Sequence, residues 1–447
     1  MKLKGTYKVV FIGPFYTGFF IDSSTLINKG YTIIQRNILK NFREYGIQGW
    51  FIEMDSKEDI LWDVEFTSVY GGTTMIPASF IGRSIDFNTN IIEFQGFHFK
   101  VIKALFFYHD YGVGTFRIKI EVDLNEMIEV REFRELIEQL SSHLGDIINP
   151  IIQEDTLKLK KRLIEFLIPI DSYEDISEEL SSKRLDHIPI RSSLWFHRVF
   201  HFLLDENRPV TLEDYEKYKD VLYSSQMEGP QNCSLNEYAQ VYPSFNFSLF
   251  IYHKESRPKD IRLNRVLEIA EYYYAATSLL DTILFHEFAK FSGKRKNPPK
   301  IKELEKELES LKGLSNQLDL FLLTLKDSII NLSPSSIIMW RNIDNEWYYT
   351  SMLETLKEKS QLLTTQVNEK LDELNQKRAQ ILNRFVKIFT FLAIIGPILE
   401  IYALLQDLNL IDLILSHLSL FLIITMPIIS FLLIIIVYYA KKLLFQY

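Results

Sequence analysis

Hydrophobic and polar residues follow two different rhythms along the chain. Up to residue 124, short runs of aromatic and β-branched residues are interrupted by Gly, Asn and Asp, which is typical of strands and turns. From Asn125 onward, apolar residues recur every three or four positions, which is the period of a helix. The pattern predicts a β-rich region at 1–124 and a mainly α region with loops at 125–260. Within the β-rich region, 104–122 predicts a hairpin that turns at Tyr111-Gly112-Val113-Gly114.

Longer helical patterns begin at residue 261. The stretch 261–292 predicts one long helix, and two heptad seams follow it at 301–332 and 353–385. Two long helices that a short connection joins are expected to pack antiparallel. We therefore predict that 261–384 forms a stalk of antiparallel coiled-coil helices.

Two segments near the C-terminus are long and apolar enough to cross a bilayer as helices, at about 385–405 and about 418–440. No Asp, Glu, Lys or Arg occurs between Leu413 and Ala440. Few residues separate the two segments. They must therefore form a hairpin, with both of its ends on the same side of the membrane. The expected fold class is thus an α+β cytosolic domain, then long antiparallel coiled-coil helices, then a two-helix transmembrane hairpin at 385–447.

Basic residues flank this hairpin at its two ends, whereas the link between the spans carries only Asp407 and Asp412. The positive-inside rule therefore predicts cytosolic N- and C-termini, in a multi-pass protein of the cell's inner (plasma) membrane. The flanking basic residues are Lys377, Arg378, Arg384, Lys387, Lys441 and Lys442.

The first span carries small and polar residues on one helical face, between bulky apolar positions. Two interpretations fit this stripe: a face that packs against another helix, or the lining of a pore in a symmetric oligomer, where Glu400 would face water. In a pore, an apolar ring at Val386 and Phe389 would be the closed gate, and Gly396 would help the helix bend. The stripe consists of Asn383, Val386, Thr390, Ala393, Pro397 and Glu400.

Part of this stripe resembles a known family. The pattern Asn383-x-x-x-Lys387-x-x-Thr390-x-x-Ala393, followed by a proline, is similar to the inner end of the pore helix in the CorA metal-ion transporter superfamily. The order of cytosolic domain, long helices, two spans and basic tail is similar too. The resemblance implies a homopentamer whose pore follows the first span, with Asn383 and Thr390 facing it.

The family's Gly-Met-Asn signature is missing. Alignment on Asn383 puts Asp407-Leu408-Asn409 in its place, and alignment on Pro397 puts Gln406-Asp407-Leu408 there. Neither alignment keeps Gly-Met, and only the first keeps the Asn. In this respect the chain resembles divergent CorA-like membrane effectors of prokaryotic antiviral systems, including type III CRISPR, in which a nucleotide-type second messenger binds the cytosolic part. The resemblance therefore implies an ion channel that a nucleotide-derived ligand opens. The resemblance assigns no residues to the ligand pocket. Aromatic residues make up 14% of the chain, which is enough to build one.

Two other functions stay open. One is constitutive transport of a divalent cation such as Mg²⁺, with an outer ring of Asp407, Asn409 and Asp412. The other is a membrane-tethered enzyme, which is the weakest hypothesis because no nucleophile–base constellation or phosphate-binding loop occurs. We therefore expect no catalytic residues and no resident metal. The expected partners are membrane lipid and further copies of the chain.

A few residues remain as isolated candidates. His197 and His201 have a spacing that binds zinc on a helix, but in an apolar context. His109-Asp110 precedes the hairpin turn, and His286-Glu287 is expected on a solvated helix face. The single Cys233 excludes an internal disulfide. A net charge of -8 argues against direct nucleic-acid binding.

Overall fold

A computed structural model gives the fold of the 447-residue chain. The predicted second span and the outer-loop residues Asn409 and Asp412 lie outside the described residues. The structure describes residues 2–21, 30–52, 80–87, 90–182, 188–204, 208–222, 231–233, 237–253, 257–292, 301–330 and 334–407.

The described residues form strands mainly in the first 253 positions and long helices after them. The strands are β1 (Lys2–Tyr16), β2 (Phe19–Ile21), β3 (Trp50–Phe51), β4 (Ile81–Ile85), β5 (Ile91–Phe94), β6 (Phe97–Tyr108), β7 (Val113–Glu129), β8 (Ile170–Ser172), β9 (His197–Leu204), β10 (Ala239–Pro243) and β11 (Phe247–His253). The helices are α1 (Tyr31–Glu44), α2 (Val130–Glu165), α3 (Glu174–Ser182), α4 (Leu212–Tyr218), α5 (Arg257–Ser292), α6 (Ile301–Ile330), α7 (Pro334–Trp347) and α8 (Tyr349–Asp407).

The chain divides into two compact units. The first unit comprises Met1–Gly293 and Gln317–Ser360, and the second comprises Lys294–Asn316 and Gln361–Tyr447. The first unit is an N-terminal α/β sheet domain, and the long helix α8 carries the apolar segment that was predicted as the first span.

The centre of the first unit is a mixed sheet in the order β10-β11-β9-β1-β7-β6-β4-β3, with β5 paired to β6. Strand β1 lies between β7 and β9 and pairs antiparallel with both, whereas β9 and β11 are parallel. Every residue from Val9 to Tyr16 is buried. Such an uninterrupted apolar run is the signature of a strand that is covered on both faces.

Helices cover both faces of this sheet, and strand β7 shows how. Successive side chains of a strand point to opposite faces. On one face, Phe116 and Ile118 join the core that includes the buried side of α2. On the other face, Thr115 and Arg117 approach Glu268 of α5, at 3.5 Å and 3.4 Å. The sheet is therefore the middle layer of three.

The predicted hairpin is present, with its turn two residues earlier than expected. Strands β6 and β7 pair antiparallel, and β7 already begins at Val113. Gly112 has φ 74°, and a Cβ there would lie 2.9 Å from Cε1 of Tyr173. The Gly112 carbonyl accepts hydrogen bonds from the Tyr173 hydroxyl at 2.7 Å and from the Thr17 amide at 2.9 Å. A glycine is needed here both for its backbone angle and for the close approach of Tyr173.

The sheet does not end where the mainly α region was expected to begin. Strand β7 continues to Glu129 before α2 starts, and β9, β10 and β11 extend the same sheet. The prediction of a helix around His197 and His201 is wrong, because both residues lie on β9. A short apolar run gives no clear period, so burial between β1 and β11 decides its conformation.

The long helices agree better with the sequence. Helix α5 confirms the helix that was predicted at 261–292. The two seams correspond to α6 and α8, but α7 lies between them where only a connection was expected. Pro334 is the first residue of α7, a position where the missing N–H costs nothing.

The second unit contains parts of α6 and α8 whose buried side chains are seam residues. The guanidinium of Arg378 on α8 donates to Glu305 Oε1 on α6 at 2.7 Å. A heptad pattern predicts burial of apolar residues that recur three or four positions apart. The buried seam residues of this unit are Leu304, Leu308, Leu311, Leu363, Val367 and Leu374.

Helix α4 gives a testable pH dependence. Arg208 donates to both carboxylate oxygens of Asp214, at 2.7 Å and 2.8 Å, and Thr211 forms a capping box with the same residue. The Arg208 hydrogen bonds, followed by those from Thr211, lower the pKa of Asp214 from 3.8 to about 2. A lowered pKa means that the stabilisation is complete above pH 4 and is lost as the pH falls toward 2.

We therefore expect Asp214→Asn to lower the free energy of unfolding at pH 7 by about 1–2 kcal/mol. The difference from wild type should shrink between pH 4 and pH 2, measured by thermal unfolding of the full chain. Glu213→Gln, at the exposed neighbouring position, is the control and should change little. A difference that does not vary with pH would contradict the assignment to the ionised carboxylate.

Candidate functional site

Among the residues that the structure describes, α8 is the one helix long and apolar enough to cross a membrane. None of its most apolar window is buried. Asp407 is its last residue. The predicted stripe lies within α8, and both the stripe and the bulky positions beside it are largely exposed, as in Val386 and Leu392. A single chain therefore does not distinguish a pore lining from a packing face, and the pore-lining residues stay a prediction.

Local geometry within the apolar part of α8 adds two facts. The Thr390 hydroxyl donates to the Val386 carbonyl at 2.8 Å, so this polar group is satisfied inside its own helix. Pro397 lies inside α8 and cannot donate a hydrogen bond to the preceding turn. The backbone there is weaker than elsewhere in the helix, at the place where the sequence suggested a bend.

A second candidate site is a cavity of about 260 Å³ in the first unit, which sequence reasoning did not find. Four separate segments form it: the residues just before β9, the turn between β10 and β11, the middle of α5 and the end of α7. It is lined by Trp195, Phe245, Asn246, Glu271, Tyr274 and Trp347.

The aromatic walls of this cavity meet nearly at right angles. The rings of Trp195 and Tyr274 are 5.8 Å apart at 87°, and those of Tyr274 and Trp347 are 5.8 Å apart at 85°. Phe245 lies 6.4 Å from Trp347 at 78° and is half exposed. We call this arrangement of Trp195, Phe245, Tyr274 and Trp347 the aromatic box.

Glu271 is the charged residue among those that line the cavity, and it is 1% exposed. The Trp195 indole N–H donates to one of its oxygens. The other oxygen lies 3.3 Å from Nδ1 of His197, whose Nε2 is 2.8 Å from the Ser248 hydroxyl. The indole hydrogen bond holds the carboxylate at the cavity wall, with the His197 imidazole close beside it.

A further contact and the state of one phenol complete the box. The Trp347 indole N–H donates to the Ser244 carbonyl at 3.4 Å. Burial, and secondly the Glu271 charge, raises the pKa of Tyr274, so its phenol stays neutral at physiological pH. The box therefore combines neutral aromatic walls with one buried carboxylate.

A second acidic residue of α5 is neutralised within the protein. Glu268 is 1% exposed, and the buried guanidinium of Arg265 donates to it. Arg117 lies 3.4 Å from its other oxygen. Unlike Glu271, Glu268 is thus surrounded by positive charge and does not line the cavity.

Two other candidate histidines, His109 and His286, have structural surroundings. His109 is buried and stacks on Tyr272 at 4.0 Å, and burial, followed by the Arg265 charge, lowers the pKa of His109 well below its usual range. It is therefore neutral. The prediction of a solvated His286 is wrong: it is 4% exposed, and its Nε2 lies 3.2 Å from Glu179.

The single cysteine does not add a reactive group. Cys233 is buried, and the Asn342 amide donates to its sulfur at 3.1 Å. Burial raises the pKa of the thiol to about 12, so the nucleophilic thiolate does not form at neutral pH. Within the described part of the chain, no three His, Cys, Asp or Glu residues cluster to hold a metal ion.

Comparison of this chain with protein-family models, curated proteins and solved structures finds no significant match. The likeness to the CorA superfamily therefore rests on the sequence features alone. The chain thus offers two candidate sites: the apolar part of α8 and the aromatic box.

Proposed function

We propose that this chain is a subunit of a CorA-like, homo-oligomeric ion channel that opens when a ligand binds its cytosolic unit. The observation that carries the proposal is the position of α8 in the chain. Trp347, a wall of the aromatic box, is separated by Tyr348 alone from the start of α8 at Tyr349. The same helix contains the segment that is apolar enough to cross a membrane.

The start of α8 is well anchored in the first unit, which supports mechanical coupling. The amide and hydroxyl of Thr350 donate to Asp344 of α7, both at 2.6 Å. Lys359 of α8 forms an ion pair with Asp281 of α5. Since α5 also provides Glu271 and Tyr274, a ligand in the box touches the two helices that hold α8.

The junction between the two helices is itself strained. Tyr348 has φ 54°, a left-handed conformation that is uncommon for a bulky residue, and it is 71% exposed. A conformation of this kind is retained only where the surroundings impose it. Ligand binding has to favour one arrangement of α7 and α8 by a few kcal/mol in order to shift the channel between states.

The finer architecture belongs to the same proposal. We propose antiparallel long helices, a transmembrane hairpin whose acidic link faces outward, cytosolic termini, a plasma-membrane location and a pentamer by resemblance. Two contacts between α6 and α8 support the antiparallel order: Asp319 with Ser360 in the first unit, and Glu305 with Arg378 in the second. Contacts further along α8 fall earlier on α6, as an antiparallel pair requires.

We propose a nucleotide-type second messenger as the ligand and antiviral defence, such as type III CRISPR, as the setting. Support comes from the sequence resemblance to divergent CorA-like effectors. Opening would collapse ion gradients across the membrane. No chemical step by the chain is part of this proposal.

The test is ion flux in liposomes that contain the purified full chain. Under sodium, potassium and magnesium gradients, we expect little flux alone and at least tenfold more with an active member of a panel of linear and cyclic nucleotide messengers. Trp347→Ala should remove the response, whereas Trp340→Ala, a buried α7 tryptophan outside the box lining, controls for loss of an aromatic core residue. Magnesium flux without any messenger would overturn the proposal in favour of a constitutive transporter.

A further inference from the structure

We propose that the aromatic box binds an alkylated organic cation, the kind of head group found in quaternary ammonium compounds. The box has four aromatic walls, and the Trp195 indole N–H holds the Glu271 carboxylate beside them, with His197 Nδ1 at 3.3 Å. Aromatic faces attract cations through their quadrupole, most strongly when water is excluded. A buried carboxylate adds the opposite charge.

The charge of the lining selects against anions. Glu271 is the charged residue among the six that line the cavity, and the ring edges and faces around it are neutral. A phosphate in the cavity would meet this carboxylate, and none of the six lining residues carries a positive charge. If the activating ligand contains phosphates, they must lie outside the box, and the part of the ligand that enters carries positive charge.

The shape of the box suits a compact cation. Neighbouring rings meet at 87°, 85° and 78°, so no two of these neighbouring walls offer parallel faces to a flat base. A compact cation needs no such alignment, because each ring face attracts it whatever the angle between the rings.

The volume of the cavity also favours a compact ligand. The cavity holds about 260 Å³, which is below the ~300–1,000 Å³ of pockets that enclose drug-sized ligands. It therefore suits a head group rather than a whole nucleotide. Phe245 and the exposed Asn246 in the turn between β10 and β11 leave one side open, through which the remainder of a ligand would extend.

Binding by the box does not depend on the channel hypothesis, whereas any effect of the cation on gating rests on the proposed function. The two are tested separately: binding in detergent solution, and flux in liposomes. Binding without flux would leave the cation site standing and count against the channel.

The binding experiment uses the full chain in detergent and follows tryptophan fluorescence, because Trp195 and Trp347 are both box walls. The probes are tetramethylammonium and choline, and the control ligand is 3,3-dimethyl-1-butanol, the neutral isostere of choline. We expect saturable binding of the cations and at least tenfold weaker binding of the neutral isostere.

Three variants sharpen this test. Glu271→Gln removes the charge, and Trp347→Leu removes one aromatic face but keeps the carboxylate; each should weaken cation binding about tenfold. Glu287→Gln, on the same helix but outside the cavity lining, should leave binding unchanged. Circular dichroism confirms that each variant is folded, and Trp347→Leu keeps the test decisive if Glu271→Gln does not fold.

Equal affinity for choline and its neutral isostere would overturn the proposal, because the box would then be a plain hydrophobic pocket. Absence of saturable cation binding by the folded wild-type chain would overturn it as well. Preferential binding of inorganic phosphate or a free nucleobase would contradict the charge and shape arguments directly.

Discussion

Replacing Glu268 by Gln is expected to lower the free energy of unfolding of the first unit by about 3–5 kcal/mol. Glu268 is 1% exposed, and it accepts from Arg265, which is equally buried, while Arg117 lies 3.4 Å away. Removing the negative charge takes the Glu268 carboxylate away from two guanidinium groups that lie against the Phe107 ring. Thermal and denaturant unfolding of the full chain measure the loss.

The matched control is Glu121→Gln. Glu121 pairs with Lys8 at 3.5 Å, but its side chain is 26% exposed, so water replaces the lost partner. The expected change is below about 1 kcal/mol. Similar effects of the two substitutions would contradict the view that the Glu268 cluster is a desolvated charge group that holds α5 on the sheet.

The parts of the fold that depend on local periodicity could be predicted from the sequence. Helix α5, the two seams and the hairpin of β6 and β7 follow from patterns within a few tens of residues. The seam positions Leu308 and Leu363 are buried as a heptad requires. The boundaries shifted by a few residues, because strand β7 continues its pairing with β1 to Glu129.

The parts that depend on distant partners could not be predicted in the same way. Strand β9 pairs with β1 and β11, so its conformation is decided by residues far away in the chain. Its apolar run has no clear period, and the His197–His201 spacing suggested a helix. Whether this run forms a strand depends on its pairing in the assembled sheet, which the local sequence pattern does not define.

The aromatic box escaped sequence reasoning for a related reason. Trp195, Tyr274 and Trp347 come from separate segments, and each alone is typical of a core aromatic residue. Glu271 is the informative residue, because a glutamate in a buried stretch of helix is rare unless it is paired. Sequence pattern marks such a residue as unusual but does not identify its neighbours.

The stripe on α8 is the opposite case. Its periodicity is clear from the sequence, but its side chains are largely exposed on a single chain. A face of small and polar residues suits both helix packing and a pore. Only a functional measurement on the assembled protein separates these two interpretations. Phe389, the predicted gate residue, offers that measurement.

Phe389→Ala is expected to let ions leak without any ligand, raising basal flux in liposomes at least tenfold. Phe389 borders the stripe beside Val386, and it is 67% exposed on the single chain. In a pore lined by this face, a ring of phenyl groups would block ions by excluding water, and Ala would widen and wet the constriction.

Phe391→Ala is the matched control, because a step of two residues turns a helix by about 200° and moves the side chain away from the stripe. The same deletion of a phenyl ring there should leave the closed pore tight. Leakage from both variants would indicate general damage to the helix. Leakage from neither would mean that Phe389 is not the gate, and leakage from Phe391→Ala alone would move the pore to the opposite face of α8.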